Sequence, residues 1–206
     1  MGNSLLKRWN PKTTAFMASE RLQHWQGNQF QWVGLDRISP SLMRAVLVAE
    51  DDAFFDHEGV DLDEMKKSWE INLKRKKIVR GGSTLTMQLV KNLYLSDAKN
   101  PLRKLNEILL AFDLERKVSK RRILELYLNV AQWGEGLFGA EAASRHYYQK
   151  SANQLSSNEA AYLAAILPNP VYLTGKGLKR AQWRQRMILR RMGRRSLPKE
   201  VTSSRP

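Results

Sequence analysis

The sequence predicts a mainly α-helical protein, and three observations support that class. Apolar residues recur every three or four positions, several of these stretches begin at residues that cap helices well, and no long stretch alternates apolar with polar residues. The chain has 206 residues, of which 42% are hydrophobic, enough for one sizeable core. We expect a lead-in over residues 1–35, one domain over 36–192 and a polar tail over 193–206.

The first strongly marked helix has Ser39 as its N-cap and Pro40 at its first position. An apolar run over 45–49 follows and leads directly into the acidic triplet at 50–52. Acids at the C-terminal end of a helix face the negative end of its dipole, which costs about 0.3–1 kcal/mol per charge at low salt. The triplet therefore needs an explanation.

A second helix is predicted over 61–74, where Met65, Trp69 and Leu73 form one stripe beside lysines. This stripe suits contact with a bilayer, and it suits packing on the core equally well. VRGGSTLTMQ, at 79–88, is predicted to be a basic loop because adjacent glycines interrupt helices.

The helix predicted over 101–117 begins with Asn100 as N-cap and Pro101 at its first position. Arg103 and Glu107 share one face. The opposite face carries Leu105, Ile108, Leu109 and Phe112. A helix that is apolar on nearly all sides is expected to be buried.

The other elements are predicted from caps and breakers. They are a helix near 14–26, a helix over 119–130 capped by Ser119, a turn at 132–139, a helix over 139–148, a helix with a Ser156–Glu159 capping box that ends at Pro168, and a last helix over 180–192.

The chain is strongly basic, since 35 Lys and Arg against 20 Asp and Glu give a formal net charge of +15. This charge predicts a polyanionic partner, which can be nucleic acid, anionic lipid or a phosphorylated substrate. The absence of cysteine excludes disulfides, thiolate metal sites and cysteine nucleophiles. The sequence has no apolar run of about 18 residues, so we expect a cytosolic protein or one whose targeting segment has been removed.

Glu50 is a candidate general acid or base. Leu47, Val48, Phe54 and Phe55 surround it in the sequence, and an apolar setting raises the pKa of a carboxyl group by desolvation. The alternative is that the acidic triplet begins an ordinary solvated loop.

Glu107 is a second candidate carboxylate, beside Arg103 and Lys104 on a helix predicted to be buried. A buried carboxylate among cations is costly as a purely structural feature and makes more sense near an anionic ligand. The alternative is a simple Arg103–Glu107 pair, worth about 0.2–0.5 kcal/mol.

The segment GGSTLTMQLVKN, 81–92, suits phosphate oxygens, because its glycines allow close approach, its hydroxyls donate hydrogen bonds and Lys91 adds a cation. It is not a Walker loop, and taken alone such a segment is usually an ordinary loop. His57 has no His or Cys partner at metal-binding spacing, so a hydrogen-bonding role is favoured and no zinc site is predicted.

Five segments, in order, resemble the motifs of the peptidoglycan glycosyltransferases. They are EDDAFFDHEGVD (50–61), GGSTLTMQLVKN (81–92), RKLNE (103–107), KRRILELYLN (120–129) and RQRMILRRM (184–192). Each motif is weak alone, but the ordered set is specific. Because no penicillin-binding domain follows, the chain is similar to the monofunctional biosynthetic type.

The resemblance implies a lysozyme-like fold with a larger head lobe and a smaller membrane-facing lobe. It implies an inverting reaction that polymerises lipid II into β-1,4-linked glycan and releases undecaprenyl diphosphate. Glu50 corresponds to the catalytic base. Glu107, with Arg103, Lys104 and Lys91, would organise the diphosphate side, directly or through a Mg or Mn ion held by the substrate diphosphate.

The resemblance also implies a set of substrate-binding positions, with one departure from the family pattern. The positions are Asp51, Phe54, His57, Gly59, Ser83, Thr84, Gln88, Lys91, Asn92, Arg103, Lys104, Glu125 and Asn129. Met87 stands where the family commonly has glutamine, which puts a substrate contact at that position in doubt, whereas Gln88 matches.

The partners implied are lipid II, the growing glycan chain, an anionic membrane surface and other cell-wall synthesis proteins, with no nucleic acid and with moenomycin as an inhibitor. The implied location is the periplasmic or extracellular face of the bacterial cytoplasmic membrane, with the family's N-terminal anchor absent from this chain.

Two other classes stay open at this point. A basic helical nucleic-acid-binding protein would explain the charge but not Glu50 and Glu107. A lysozyme-like lytic glycosidase would share the fold but would have little use for the Gly-Ser-Thr segment and its neighbouring cations.

Overall fold

The computed structural model describes residues 2–23, 29–77, 81–95 and 101–202, and helices dominate these segments. The α-helices are α1 (Gly2–Leu5), α2 (Ala15–Gln23), α3 (Pro40–Glu50), α4 (Leu62–Lys74), α5 (Leu85–Tyr94), α6 (Pro101–Lys117), α7 (Lys120–Val130), α8 (Ala140–Tyr148), α9 (Ser157–Ile166), α10 (Lys176–Met192) and α11 (Lys199–Thr202). The same segments contain 3-10 turns at Leu35–Arg37 and Ala152–Gln154 and the strands β1 (Gln29–Phe30), β2 (Gln132–Gly134) and β3 (Leu137–Phe138). The predicted mainly α class is confirmed.

Several helices begin at the predicted caps. The Ser39 hydroxyl accepts a hydrogen bond from the Ser41 N–H at the start of α3, and Ser119 caps α7 in the same way. Ser156 and Glu159 form the predicted capping box of α9. Each contact satisfies an N–H group that the first turn of a helix leaves without an internal partner.

Other boundaries differ from the prediction. The last long helix, α10, begins at Lys176, one turn earlier than expected. Helix α5 begins at Leu85, inside the segment predicted as a loop, and Thr84 is its N-cap. Helix α2 lies within the predicted range 14–26, whereas Asn100, the predicted cap of α6, is outside the described residues.

The segment 132–139, predicted as a turn, contains a β-hairpin. Strands β2 and β3 pair antiparallel, and β1 joins β3 in parallel, which gives the order β1-β3-β2. Strands of two or three residues are too short to show an alternating pattern, so the sequence did not reveal them. Because β1 comes from the lead-in, the sheet ties the start of the chain to its middle.

The helices pack in two groups around one core. Helices α3, α9 and α10 contact one another, while α5 packs against α2, α6 and α7. Trp133 and Phe138 are fully buried at the centre, and Leu6 and Met17 of the lead-in are part of the same core. Among the described residues, no helix is both long and apolar enough to cross a bilayer.

The prediction that α6 is buried on all sides was wrong. Glu107 and Leu114, on its inner face, are 4% and 0% exposed, but Leu102, Leu105 and Leu109 are 67%, 52% and 58% exposed. An all-round apolar helix belongs either in a core or at a surface with an apolar partner, and periodicity alone does not separate these cases.

Candidate active site

A polar cleft with a volume of about 670 Å³ opens between the two groups of helices. The end of α3 and the residues after it form one wall, the loop 81–84 and Gln88 of α5 form another, and arginines of α10 form a third. Gly82 allows the loop to lie against α4, because a Cβ atom at this position would stand 2.9 Å from the Met65 Cα.

Glu50, the last residue of α3, lines this cleft with a side chain that is only 12% exposed. The Gln88 amide donates to its Oε2 at 3.2 Å, and Arg184 Nη2 donates to its Oε1 at 3.0 Å. Burial raises the pKa of the Glu50 carboxyl group above its usual value, although Arg184 and Gln88 oppose the shift. The group is therefore a carboxyl with raised proton affinity, held at both oxygens.

The two acids that follow Glu50 are also paired. Asp51 is buried and accepts hydrogen bonds from His57 Nε2 at 3.0 Å and from the Leu85 N–H at 2.8 Å. Asp52 pairs with two arginines, Arg191 at 2.9 Å and Arg195 at 3.0 Å. Partners from distant parts of the chain thus offset the unfavourable position of the triplet at the end of α3.

The residues around Asp51 hold the segment 51–59 in place. Thr84 Oγ1 donates to the Gly59 carbonyl at 2.6 Å, so the cap of α5 also anchors this segment. Gly59 has a φ of +88°, and a Cβ atom there would stand 3.0 Å from the Ala111 carbonyl oxygen. Asp51, His57, Gly59 and Thr84, all predicted to bind substrate, have clear structural contacts.

Glu107 lies at a second cluster beside the cleft. Its side chain is 5% exposed and pairs with both Arg103 and Lys104, with Lys104 Nζ at 2.9 Å from Oε2. Lys104 Nζ also donates to the Ser83 hydroxyl at 2.8 Å, and Ser83 lines the cleft. The structure thus brings together the predicted third motif and the Gly-Ser-Thr loop.

Lys91 and Asn92 lie further along α5 and do not line the cleft. Lys91 Nζ is 6.0 Å from the centre of the Phe16 ring on α2. The grouping of Lys91 with Arg103 and Lys104 stays a prediction.

Of three other predicted positions, Phe54 and Asn129 lie in the interior and Glu125 is half-buried. Phe54 is fully buried, with Lys120 Nζ at 4.5 Å from its ring centre. Asn129 is fully buried and hydrogen-bonds both the N–H and the carbonyl of Val33, and Glu125 accepts from the Leu35 N–H. Glu125 and Asn129 join α7 to the end of the lead-in.

Met87 and Gln88 face different surroundings although they are neighbours. Met87 is fully buried in the core, whereas Gln88 lines the cleft and contacts Glu50. The departure from the family pattern at Met87 therefore falls on a core position of this chain.

The sequence did not single out Arg184 or Tyr127, which complete the surroundings of Glu50. Arg184 is the first residue of the fifth motif, and with Arg180 and Arg191 it lines the cleft from α10. Their spacing of four and seven residues places them on one helical face, a signal that was available. The Tyr127 hydroxyl donates to Gln88 Oε1 at 3.0 Å.

In the described part of the chain, no three His, Asp or Glu side chains come close enough to share a metal ion. The Mg or Mn ion bound through the substrate diphosphate stays a prediction.

Comparison with known proteins identifies the family of this chain. A family model described as Transglycosylase matches residues 18–193. Three similar proteins are called biosynthetic peptidoglycan transglycosylase. The one from Laribacter hongkongensis is 44% identical over 92% of this chain and 86% of the relative, the one from Chromobacterium violaceum is 48% identical over 92% and 86%, and the one from Methylobacillus flagellatus is 52% identical over 79% and 73%.

The chain belongs to the transglycosylase family. The prediction of a peptidoglycan glycosyltransferase is thereby confirmed, and the protein is an enzyme of the cell envelope. This membership sets aside a nucleic-acid-binding protein and a lytic glycosidase.

Proposed function

We propose that this cleft polymerises lipid II by inverting glycosyl transfer, with Glu50 as the general base. The observation that supports this most is the setting of Glu50, a carboxyl group with a raised pKa whose oxygens each accept one hydrogen bond beside an open polar cleft. A carboxylate with increased proton affinity is a better base near neutral pH than an ordinary one.

In this reaction the 4-hydroxyl of the incoming lipid II gives its proton to Glu50 while its oxygen attacks the anomeric carbon of the growing chain. The bond from that carbon to the diphosphate breaks on the opposite side, and the diphosphate leaves with the electron pair. An α-linked donor thus becomes a β-1,4 linkage, which is inversion. Because diphosphate is already a good leaving group, neutralising its charge matters more than protonating it.

Arg103, Lys104 and Glu107 are the residues we assign to the diphosphate side. Arg103 and Lys104 are partly exposed, and Lys104 reaches the cleft through its contact with Ser83. Glu107 lies between the two cations and holds them in place. Charge-assisted hydrogen bonds from such cations to phosphate oxygens are strong. The sequence also predicts Lys91 on this side, and that assignment stays a prediction.

Exposed apolar faces support a location at a membrane surface. Trp69 and Leu73 on α4 are 72% and 69% exposed, and Leu105 and Leu109 on α6 are more than half exposed. Of the α4 stripe, only Met65 packs against the core. Apolar side chains flanked by lysines suit an anionic bilayer surface, which agrees with an enzyme at the outer face of the cytoplasmic membrane.

The first experiment tests the base. Wild-type protein incubated with labelled lipid II should form polymer, and Glu50→Gln should lower the rate by about 10²–10⁴-fold, because an amide cannot accept the proton. Glu58→Gln is the matched control, since Glu58 is exposed in the same segment, and it should polymerise normally. Normal turnover by folded Glu50→Gln would remove Glu50 from the mechanism.

The second experiment tests the membrane surface. The double variant Trp69→Ser, Leu73→Ser should bind anionic liposomes about tenfold more weakly, since two exposed apolar side chains are removed. Val171→Ser, Tyr172→Ser removes a comparable exposed pair between α9 and α10 and is the control. Equal sedimentation of wild type and the α4 variant would show that this face does not contact lipid.

A further inference from the structure

Three side chains from three helices form a continuous chain of hydrogen bonds that ends at Glu50. Tyr127 of α7 donates its hydroxyl proton to Gln88 Oε1 at 3.0 Å, and the Gln88 amide nitrogen of α5 donates to Glu50 Oε2 at 3.2 Å. The Tyr127 side chain is buried and is 2% exposed as a residue. Substrate in the cleft would meet Glu50 and Gln88, while Tyr127 stands behind them.

The direction of these hydrogen bonds follows from chemistry. An ionised carboxylate only accepts, so the NH2 end of Gln88 must face Glu50 and its oxygen must face Tyr127. If the amide turned over, the Tyr127 hydroxyl could accept from the NH2 group, but its own proton would lose its acceptor in a buried site. The Gln88 oxygen would also face the negative carboxylate. Tyr127 therefore favours the amide orientation that donates to the base.

We infer that Tyr127 is a positioning residue for the catalytic base, acting through Gln88. This inference rests on the proposed function, because it takes Glu50 as the proton acceptor. With Gln88 on one oxygen and Arg184 on the other, the Glu50 carboxylate is fixed in rotation, and each oxygen keeps a lone pair for the acceptor hydroxyl.

The protonation state of Tyr127 supports a permanent donor role. Burial raises the pKa of the Tyr127 hydroxyl well above its usual value, and the nearby charges of Glu50 and Asp51 raise it further. The hydroxyl therefore keeps its proton at neutral pH. The other charged groups that line the same cleft are Asp52, Asp61, Glu64, Arg180, Arg184 and Arg191.

The test is the pH dependence of kcat/KM for lipid II polymerisation. Tyr127→Phe removes the hydroxyl and leaves the side-chain amide of Gln88 free to rotate by about 180°. Glu50 then loses its hydrogen-bond donor Gln88 part of the time and becomes easier to protonate. We expect kcat/KM to fall by about three- to tenfold on the acid side of the profile, the range for one hydrogen bond, and by much less on the alkaline plateau. Tyr147→Phe is the matched control, because the hydroxyl of Tyr147, in α8, donates to the Trp133 carbonyl and not to Gln88. The pH profile of this variant should equal that of wild type.

A second variant separates positioning from general packing. Gln88→Leu should show an acid-side loss at least as large, and adding Tyr127→Phe to it should cause no further shift, because both changes break the hydrogen-bond chain from Tyr127 to Glu50. The titration of a 13C-labelled Glu50 carboxyl group, followed by NMR without substrate, should move to higher pH in Tyr127→Phe and not in Tyr147→Phe. An unchanged profile and titration in folded Tyr127→Phe, or a full additional shift in the Gln88→Leu background, would overturn the inference.

These outcomes are distinct from a failure of the proposed function. If Glu50→Gln polymerises normally, the base assignment fails and the inference fails with it. If Glu50→Gln is inactive while Tyr127→Phe behaves as wild type, the base assignment stands and only the positioning role is wrong.

Discussion

Glu50 and Glu107 are both nearly buried carboxylates with cationic partners, but their partners differ in origin. Glu107 pairs with two cations of its own helix, three and four residues away. Glu50 contacts one arginine that is 134 residues distant and one neutral amide on another helix. At Glu50 the single cation does not outweigh burial, which raises the pKa of the carboxyl group and suits it to take a proton. In the function proposed above, Glu50 takes the proton and Glu107 holds the cations on the diphosphate side.

After Glu50→Gln, the largest effect that can break this contrast is expected from Glu107→Gln. We expect kcat to fall by about 10–100-fold with a much smaller change in KM, because the charges near Glu107 matter most when the diphosphate leaves. The loss should be smaller than that of Glu50→Gln, which removes the base itself. Steady-state polymerisation rates measure both.

A control separates this role from a purely structural pair. Glu107→Gln leaves two cations with one neutral partner, so its melting temperature should fall by a few degrees. If rates compared well below the melting temperature equal those of wild type, Glu107 only stabilises the fold.

A smaller effect is expected on inhibitor binding when Arg103, one of the two cations beside Glu107, is changed. Arg103→Ala should weaken moenomycin binding by about tenfold or more, since a charge-assisted contact to its phosphate is lost. Arg103→Lys should recover only part of the affinity, because an ammonium group cannot form the two-pronged contact of a guanidinium group. Isothermal titration measures all three proteins, and wild-type affinity in Arg103→Ala would show that this arginine does not bind phosphate.

The same contrast explains what the sequence could predict. The Arg103–Glu107 pair and the caps at Ser39, Ser119 and Ser156 involve residues a few positions apart, so the local sequence was sufficient. The pairing of Glu50 with Arg184 depends on how α3 and α10 pack, and no local pattern encodes it.

Neighbouring positions show a further limit of prediction from the sequence. Met87 and Gln88 are adjacent in one motif, yet one is in the core and the other in the cleft, because consecutive helical residues point about 100° apart. The family resemblance identified the motifs, but only the structure shows which of their residues face the cleft. It also shows that Phe54 and Asn129 are interior and that the outer face of α6 is exposed.

The division of roles between the two carboxylates is tested most directly by the pH dependence of kcat/KM in Glu50→Gln and Glu107→Gln. Burial raises the pKa of Glu50, and a base must be unprotonated, so the wild-type rate should fall as the pH drops through that raised value. We expect the same acid-side fall in Glu107→Gln and its absence from the residual activity of Glu50→Gln. An acid-side fall that persists in Glu50→Gln, or that disappears in Glu107→Gln, would contradict the assignment of Glu50 as the base.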